Sequence, residues 1–238
     1  MEKRKQETDL IDAQSATIPE RRFFQTEARA QTGQDGRMII GGYGAVFNQY
    51  TNMGWYAEVV NPGFFDGIKD DRCACLFNHK ESIVLGRKKN DTLTLKTDAT
   101  GLDYQSILPA HRADVYELVQ GGYVYESSFS FTTLKATWEE VDRSLLAGVL
   151  SETDLDQLSY GGKVTVRRLE KGKELFDVSP VTYGAYEQTS ADTRAAKLDY
   201  NEWRKQHPRT DETTPPDTDE TPIPSLRMRL LEVLERQY

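Results

Sequence analysis

Short runs of alternating apolar and polar residues, separated by glycine and proline turns, make up most of residues 21–182. Side chains on a β-strand point alternately to its two faces, so this pattern predicts short strands with one buried face. The clearest case is the stretch 127–131, in which Phe129 and Phe131 fall on one face and Ser128 and Ser130 on the other. The pattern predicts a strand that buries its aromatic rings and presents hydroxyl groups on its other face.

The spacing of these strands predicts the fold class. Closely spaced strands with few helices between them favour a mainly β protein with peripheral helices (α+β), built on a closed or partly closed antiparallel β-barrel. Helices are predicted over residues 113–120, which end at two glycines, and over residues 190–206. Residues 163–169 and 174–182 are predicted to be two strands, separated by a turn at residues 171–173.

The composition changes towards both ends of the chain. Residues 1–20 are polar and are predicted to form a flexible N-terminal arm, followed by one folded domain over residues 21–206. Residues 207–224 are rich in Pro, Thr, Asp and Glu, which bury too little apolar surface to order a chain, so a disordered linker is predicted. Residues 225–238 carry apolar side chains at helical spacing and are predicted to form a short amphipathic helix.

Charge and hydropathy disfavour two classes of partner. The 238-residue chain has a formal net charge of −8, which disfavours binding to the nucleic-acid phosphate backbone. The chain has no run of about 18 apolar residues, the length of a membrane-spanning helix. Its first residues also lack the apolar segment of a secretory signal. We therefore expect a cytoplasmic protein that binds neither nucleic acid nor membranes.

The two cysteines, Cys73 and Cys75, fall on one face of a predicted strand. That arrangement is unsuited to a mutual disulfide. With only three histidines and no second cysteine pair, a zinc site is also disfavoured. Both cysteines are expected to be small buried residues, and no cofactor or metal is predicted. A zinc or thiol hydrolase is the alternative, and it would require one of these cysteines to take part in catalysis.

A histidine and a serine are the first candidates for chemistry. His79 ends the apolar stretch 76–79, and Ser128 lies on the predicted aromatic strand. A histidine at a strand end and a serine on a rigid strand are the minimum parts of a serine nucleophile with its general base. Ser127 and Ser130 compete with Ser128 for that role. No Gly-x-Ser-x-Gly motif is present, so an α/β-hydrolase is not supported.

A carboxylate is the third candidate. Asp177 lies between Phe176 and Val178 on an apolar stretch, where a charged group is costly unless it is paired or exposed at an edge. Such a carboxylate could orient a histidine and stabilise its imidazolium form. The alternative for Asp177 is a solvated position at the edge of the sheet.

Five short motifs follow one another along the chain, at residues 42–47, 58–65, 76–79 with 84–87, 128–131 and 177–186. Their order resembles that of the prohead maturation proteases of tailed bacteriophages, of the type found in phage HK97. Each motif is short, but five in the same order are far more specific than one. The resemblance covers residues 20–195.

That family is similar to the herpesvirus assemblins, so the resemblance implies a serine protease on an assemblin-like β-barrel. His79 matches the Asn-His motif of the family and is implied to be the general base. Ser128 matches the serine of a Ser-Phe-Gly-Phe motif and is implied to be the nucleophile, although Ser130 replaces the glycine of that motif. Asp177 matches an acidic position before Val-Ser and is implied to be the third member, where relatives often have glutamate.

The resemblance also implies a function. It predicts an endopeptidase that cleaves segments of the scaffold and the major capsid protein, and itself, during procapsid maturation inside the bacterial host cytoplasm. A homodimer is suggested by the same analogy, and the linker at residues 207–224 is a candidate for self-cleavage. The alternative is a catalytically inactive capsid assembly or scaffolding module, in which His79 and Ser128 have no catalytic role.

Overall fold

The computed structural model describes residues 17–24, 26–183 and 193–208. Its strands are β1 (Glu20–Phe24), β2 (Arg29–Thr32), β3 (Met38–Val46), β4 (Tyr50–Asn52), β5 (Ala57–Val60), β6 (Ala74–Phe77), β7 (Lys80–Arg87), β8 (Leu93–Thr97), β9 (Gly101–Ile107), β10 (Glu126–Asp142), β11 (Ser159–Tyr160) and β12 (Lys163–Val181). Its α-helices are α1 (Ala113–Gln120), α2 (Glu152–Leu158) and α3 (Arg194–Gln206). The mainly β prediction is therefore confirmed, and α1 spans the residues predicted for it.

The strands form two sheets. The larger sheet has the order β1-β10-β12-β5-β4, and β6 and β11 also pair with β12, while β7 pairs with β6. The smaller sheet has the order β2-β3-β9-β8. Side chains from both sheets and from α1 share one hydrophobic core, which includes Ile40, Tyr104, Val115, Phe129 and Val178. The strand predicted from its alternating serines and phenylalanines is β10, which lies between β1 and the central strand β12 in the larger sheet.

Within the described ranges, the strands do not close into the barrel that the sequence predicted. Closure requires the outer strands of a sheet to pair with each other, whereas β2 and β8 are opposite edges of the smaller sheet. The pairing is also not wholly antiparallel, because β12 runs parallel to both β5 and β6. Hydrophobic alternation predicts which residues form strands, but it carries no information about which strands become neighbours.

The predicted turn at residues 171–173 is wrong, because β12 continues through it as one strand of 19 residues. Its pairing with β10 shifts register in this region, as at a β-bulge, which lets a long strand bend. Gly172 allows close packing here. A β-carbon at this position would lie 2.4 Å from Cδ1 of Ile68, and the Gly172 amide donates to the Phe64 carbonyl at 2.8 Å.

Helix α3 covers an aromatic cluster at the edge of the larger sheet. Trp55 stacks on Trp138 with ring centroids 5.6 Å apart, and Tyr200 of α3 packs against both rings. Helix α3 begins at Arg194, within the helix predicted over residues 190–206. Among the described residues, no helix is both long enough and apolar enough to span a bilayer.

The proposed domain boundaries remain predictions. Residues 1–16 of the predicted arm, residues 209–224 of the linker and the predicted helix at 225–238 lie outside the described residues. Strand β1 begins at Glu20, the last residue assigned to the arm.

Candidate active site

Strand β10 fixes the position of Ser128. Phe129 and Phe131 on its inner face are fully buried and stack on each other with ring centroids 4.6 Å apart. These two rings anchor the strand in the core, so the opposite face, which carries Ser128 and Ser130, has a fixed position and orientation. The register places Ser128 opposite Ser179 of β12, and Ser130 opposite Asp177.

His79 lies in the two-residue turn between β6 and β7. Phe77 pairs with Lys80, so Asn78 and His79 form the turn, with φ of 53° and 55°. A type I′ hairpin turn needs positive φ at both central residues and usually has Asn-Gly there. Asparagine tolerates this conformation, but a histidine in place of glycine costs free energy, and such local strain is concentrated at functional sites.

Asp177 lies near His79 because β6, which leads into the His79 turn, runs alongside the second half of β12. Asp177 pairs with Ala74 of β6, and Val178 pairs with Cys75. The turn at the end of β6 therefore lies beside the end of β12, and the His79 side chain reaches Asp177 from there. The histidine, the serine and the aspartate come from three neighbouring elements of one sheet, with β12 in the middle.

The three predicted side chains form a hydrogen-bonded chain. His79 Nδ1 is 2.6 Å from Asp177 Oδ1, and His79 Nε2 is 2.6 Å from Ser128 Oγ. A carboxylate only accepts hydrogen bonds, so the hydrogen of a neutral imidazole resides on Nδ1. Nε2 is then left as the acceptor for the Ser128 hydroxyl. This arrangement can remove a proton from the serine and hold it on the imidazole, as a general base does.

The chain of hydrogen bonds is largely shielded from solvent. The side chains of His79 and Asp177 are 12% and 8% exposed, and Ser128 is 4% exposed. Hydrogen bonds to a charged group are stronger in such surroundings than in water, and an unpaired carboxylate there would be strongly unfavourable. Asp177 is therefore a paired carboxylate and not the solvated edge residue considered as its alternative.

Ser128 has a second acceptor. Its hydroxyl can donate to the backbone carbonyl of Arg22 on β1 at 2.9 Å. A hydroxyl has one hydrogen, so Ser128 donates to His79 or to Arg22, but not to both at once. The Ser128 oxygen is thus held between β1 on one side and the imidazole on the other.

Two polar side chains whose role sequence reasoning missed support this geometry. Ser179 is fully buried and donates to Asp177 Oδ1 at 2.6 Å, so this oxygen accepts from both Ser179 and His79. Asn78 bonds to Thr182 through both ends of its side-chain amide. The available signal was a hydroxyl at each of positions 179 and 182, within the apolar stretch that follows Asp177.

A buried cluster of charges anchors β1, the strand that touches Ser128. Arg22 donates to Glu58 and, at 2.7 Å, to Glu20, while Arg167 donates to Glu20 at 2.5 Å and to Glu58 at 3.0 Å. All four side chains are at most 4% exposed. Burial by itself disfavours the charged form of Glu20, but the guanidinium groups of Arg167 and Arg22 outweigh it and lower its pKa. Asp199 of α3 completes the cluster through Arg167 at 2.7 Å.

The cysteines are poorly placed for catalysis. Cys73 and Cys75 are both fully buried, and burial raises the pKa of Cys75 to about 12 and the pKa of Cys73 further. A thiol with such a pKa holds its proton at neutral pH and is a poor nucleophile. Over the described ranges, no cluster of three or more His, Cys, Asp or Glu side chains is arranged to hold a metal ion. The burial and raised pKa of both thiols therefore argue against a thiol hydrolase.

Comparison with known proteins gives an independent result. Neither the curated proteins nor the solved structures compared with the chain gave a match. A family model described as "caudovirus prohead serine protease" matches residues 24–203, which is about three-quarters of the chain and includes all three residues of the hydrogen-bonded chain. A match of that extent shows membership, and the protein belongs to the family of caudovirus prohead serine proteases.

Proposed function

We propose that this protein is a serine endopeptidase in which Ser128 is the nucleophile, His79 the general base and Asp177 the residue that orients His79. The observation that supports this best is the pair of 2.6 Å hydrogen bonds that joins the three side chains through the two nitrogens of one imidazole. Membership of a serine protease family supplies the reaction class.

The proposed reaction follows from the tautomer of His79, which carries its hydrogen on Nδ1 and leaves Nε2 free to accept a proton. Ser128 Oγ attacks the carbonyl carbon of a substrate peptide bond, while His79 Nε2 takes its proton and Asp177 stabilises the resulting imidazolium. His79 then returns the proton to the leaving amine, and the carbon–nitrogen bond breaks to give an acyl-enzyme. A water molecule, deprotonated by His79 in the same way, hydrolyses the ester and regenerates Ser128.

Family membership indicates that the protease acts on the capsid of a phage inside its procapsid. We infer that its substrates are segments of the scaffold and the major capsid protein. Self-cleavage in the linker that the sequence predicts at residues 207–224 is part of the same proposal, because a protease groove accepts an extended segment more easily than a folded one. A homodimer completes the proposal, on the family analogy alone.

The competing function is a non-catalytic assembly module on the same scaffold. Co-expression of the chain with the major capsid protein of its own phage distinguishes the two, because intact masses report cleavage of either protein. Wild type should cleave the capsid protein, and the Ser128→Ala variant should leave both proteins intact. The matched control is Ser130→Ala, which removes a buried hydroxyl from the same face of β10 and should retain cleavage.

A fluorophosphonate probe tests the nucleophile without knowledge of the substrate. The probe forms a covalent bond to an activated serine, with loss of fluoride, and peptide mapping should place the adduct on Ser128. If wild type is neither labelled nor able to cleave the capsid protein, the assembly module becomes the better assignment.

A further inference from the structure

We propose that Asn78 is a positioning residue that holds the His79 turn against the end of β12 through Thr182, an inference that rests on the proposed function. The Asn78 side chain donates to Thr182 Oγ1 at 3.1 Å and accepts from the Thr182 amide at 2.8 Å. We refer to this pair of bonds as the Asn78–Thr182 latch.

The hairpin that carries His79 has few other attachments near its tip. Strand β6 pairs with β12 only at Ala74 and Cys75, and its pairing with β7 shifts register on both sides of Leu76. Past that point, the backbone of the turn has one bond to β12, from the Asn78 amide to the Pro180 carbonyl at 3.1 Å. Apart from the contacts of the His79 ring with Asp177 and Ser179, the latch therefore supplies two of the three described bonds that tie the turn to the end of β12.

The latch acts on His79 because the two residues are adjacent in one tight turn. Any shift of Asn78 relative to β12 also moves the imidazole relative to Asp177, which β12 carries. Catalysis depends steeply on such distances, and a displacement of about 1 Å can reduce a rate about 100-fold. Asn78 contacts neither Ser128 nor Asp177 by a described hydrogen bond, so its effect passes through His79.

The backbone of the turn allows a clean test. Asn78 has positive φ, which glycine adopts without strain, so Asn78→Gly keeps the turn and removes only the side chain of the latch. The matched control is Asn48→Gly, because Asn48 also has positive φ (59°) but is exposed, and the structure gives its side chain no hydrogen bond. Thr182→Val removes one of the two latch bonds and leaves the Thr182 amide in place.

Fluorophosphonate labelling provides the kinetic measurement. We expect kinact of Asn78→Gly to fall about 10- to 100-fold, with KI and the urea midpoint close to wild type. Thr182→Val should show a smaller fall, and Asn48→Gly should match wild type. A merely structural role would instead lower the urea midpoint and leave kinact unchanged in the fraction that stays folded. Wild-type kinact in Asn78→Gly would overturn the proposal.

A second measurement does not depend on activity. The Nδ1 hydrogen of His79, held at 2.6 Å from Asp177, should give a low-field proton resonance, which is assigned by its loss in His79→Ala. This resonance should broaden or disappear in Asn78→Gly and persist in Asn48→Gly. If wild type is not labelled at Ser128, the proposed function fails. The resonance still decides the latch, because its persistence in Asn78→Gly would overturn the positioning role.

Discussion

The buried charge cluster gives the sharpest prediction about stability. The perturbation is Glu20→Gln, which changes shape very little but removes one negative charge from a side chain with no exposed surface. Glu20 accepts from Arg167 at 2.5 Å, from Arg22 at 2.7 Å and from Thr133 at 2.6 Å. The amide of a glutamine can accept through one oxygen only, so its NH2 group would face a guanidinium donor.

The expected loss in free energy of unfolding follows from the charge balance and the burial of the cluster. Glu20 and Glu58 balance Arg22 and Arg167, while Asp199 lies at the partly exposed rim. Removal of one partner from a buried ion pair typically costs about 3–5 kcal/mol, because the remaining charge is left without compensation. A folded domain is typically stable by about 5–15 kcal/mol. Glu20→Gln is therefore expected to remove a large part of the free energy of unfolding.

Urea denaturation followed by tryptophan fluorescence measures this loss, since Trp138 packs beside Arg167. The control is Asp35→Asn, which breaks the exposed ion pair between Asp35 and Arg37 and should leave the urea midpoint unchanged. A loss of less than about 1 kcal/mol for Glu20→Gln would refute the reasoning, because the cluster would then behave like a pair on the surface.

The same cluster predicts that the free energy of unfolding depends on pH. The pKa of Glu20 is lowered in the folded protein from its ordinary value of 4.5. Its contribution to stability is therefore complete above about pH 4.5 and is lost as the pH falls through the folded-state pKa. The difference in free energy of unfolding between wild type and Glu20→Gln should shrink across that interval, because a protonated Glu20 carries no more charge than glutamine.

Three further predictions concern the site. His79→Gly and His79→Ala should both abolish labelling of the serine, but the glycine variant should be more stable in urea by about 1 kcal/mol, because alanine is disfavoured at positive φ. Asp177→Asn should lower kcat about 10⁴-fold through loss of the correct tautomer, with an unchanged circular dichroism spectrum. A thiol reagent such as DTNB should react with Cys73 and Cys75 only after unfolding, and should leave proteolysis unchanged, because both thiols are buried and protonated.

Part of this fold follows from local sequence alone. The alternation around Phe129 and Phe131 predicts a strand with a polar face, because burial of every second side chain is a local property. The helix over residues 113–120 is likewise predicted by its apolar spacing and terminal glycines. The continuation of β12 through Gly172 was not predictable from local sequence, because the glycine is packed against Ile68, which comes from elsewhere in the chain.

The candidate active site was also only partly predictable from the sequence. A histidine at a strand end, a serine on a strand and a carboxylate in an apolar stretch are visible in the sequence, but their proximity is not. His79 and Ser128 are separated by 49 positions, and His79 and Asp177 by 98. Only the family resemblance connected them in advance. The supporting roles of Ser179 and Asn78 were not predicted, because serine and asparagine are common residues and the role of each depends on what the fold places opposite it.

The central position of β12 in the larger sheet determines when the three side chains can meet during folding. The three side chains meet only after β10 and β6, which come from distant parts of the chain, have both paired with β12. Contacts between distant segments form late and slowly, because a long loop must close first. A nascent chain therefore cannot join His79 to both Asp177 and Ser128 until β12 has been synthesised and has paired with β6 and β10. We therefore expect the proposed catalytic site to be complete only after these long-range pairings have formed.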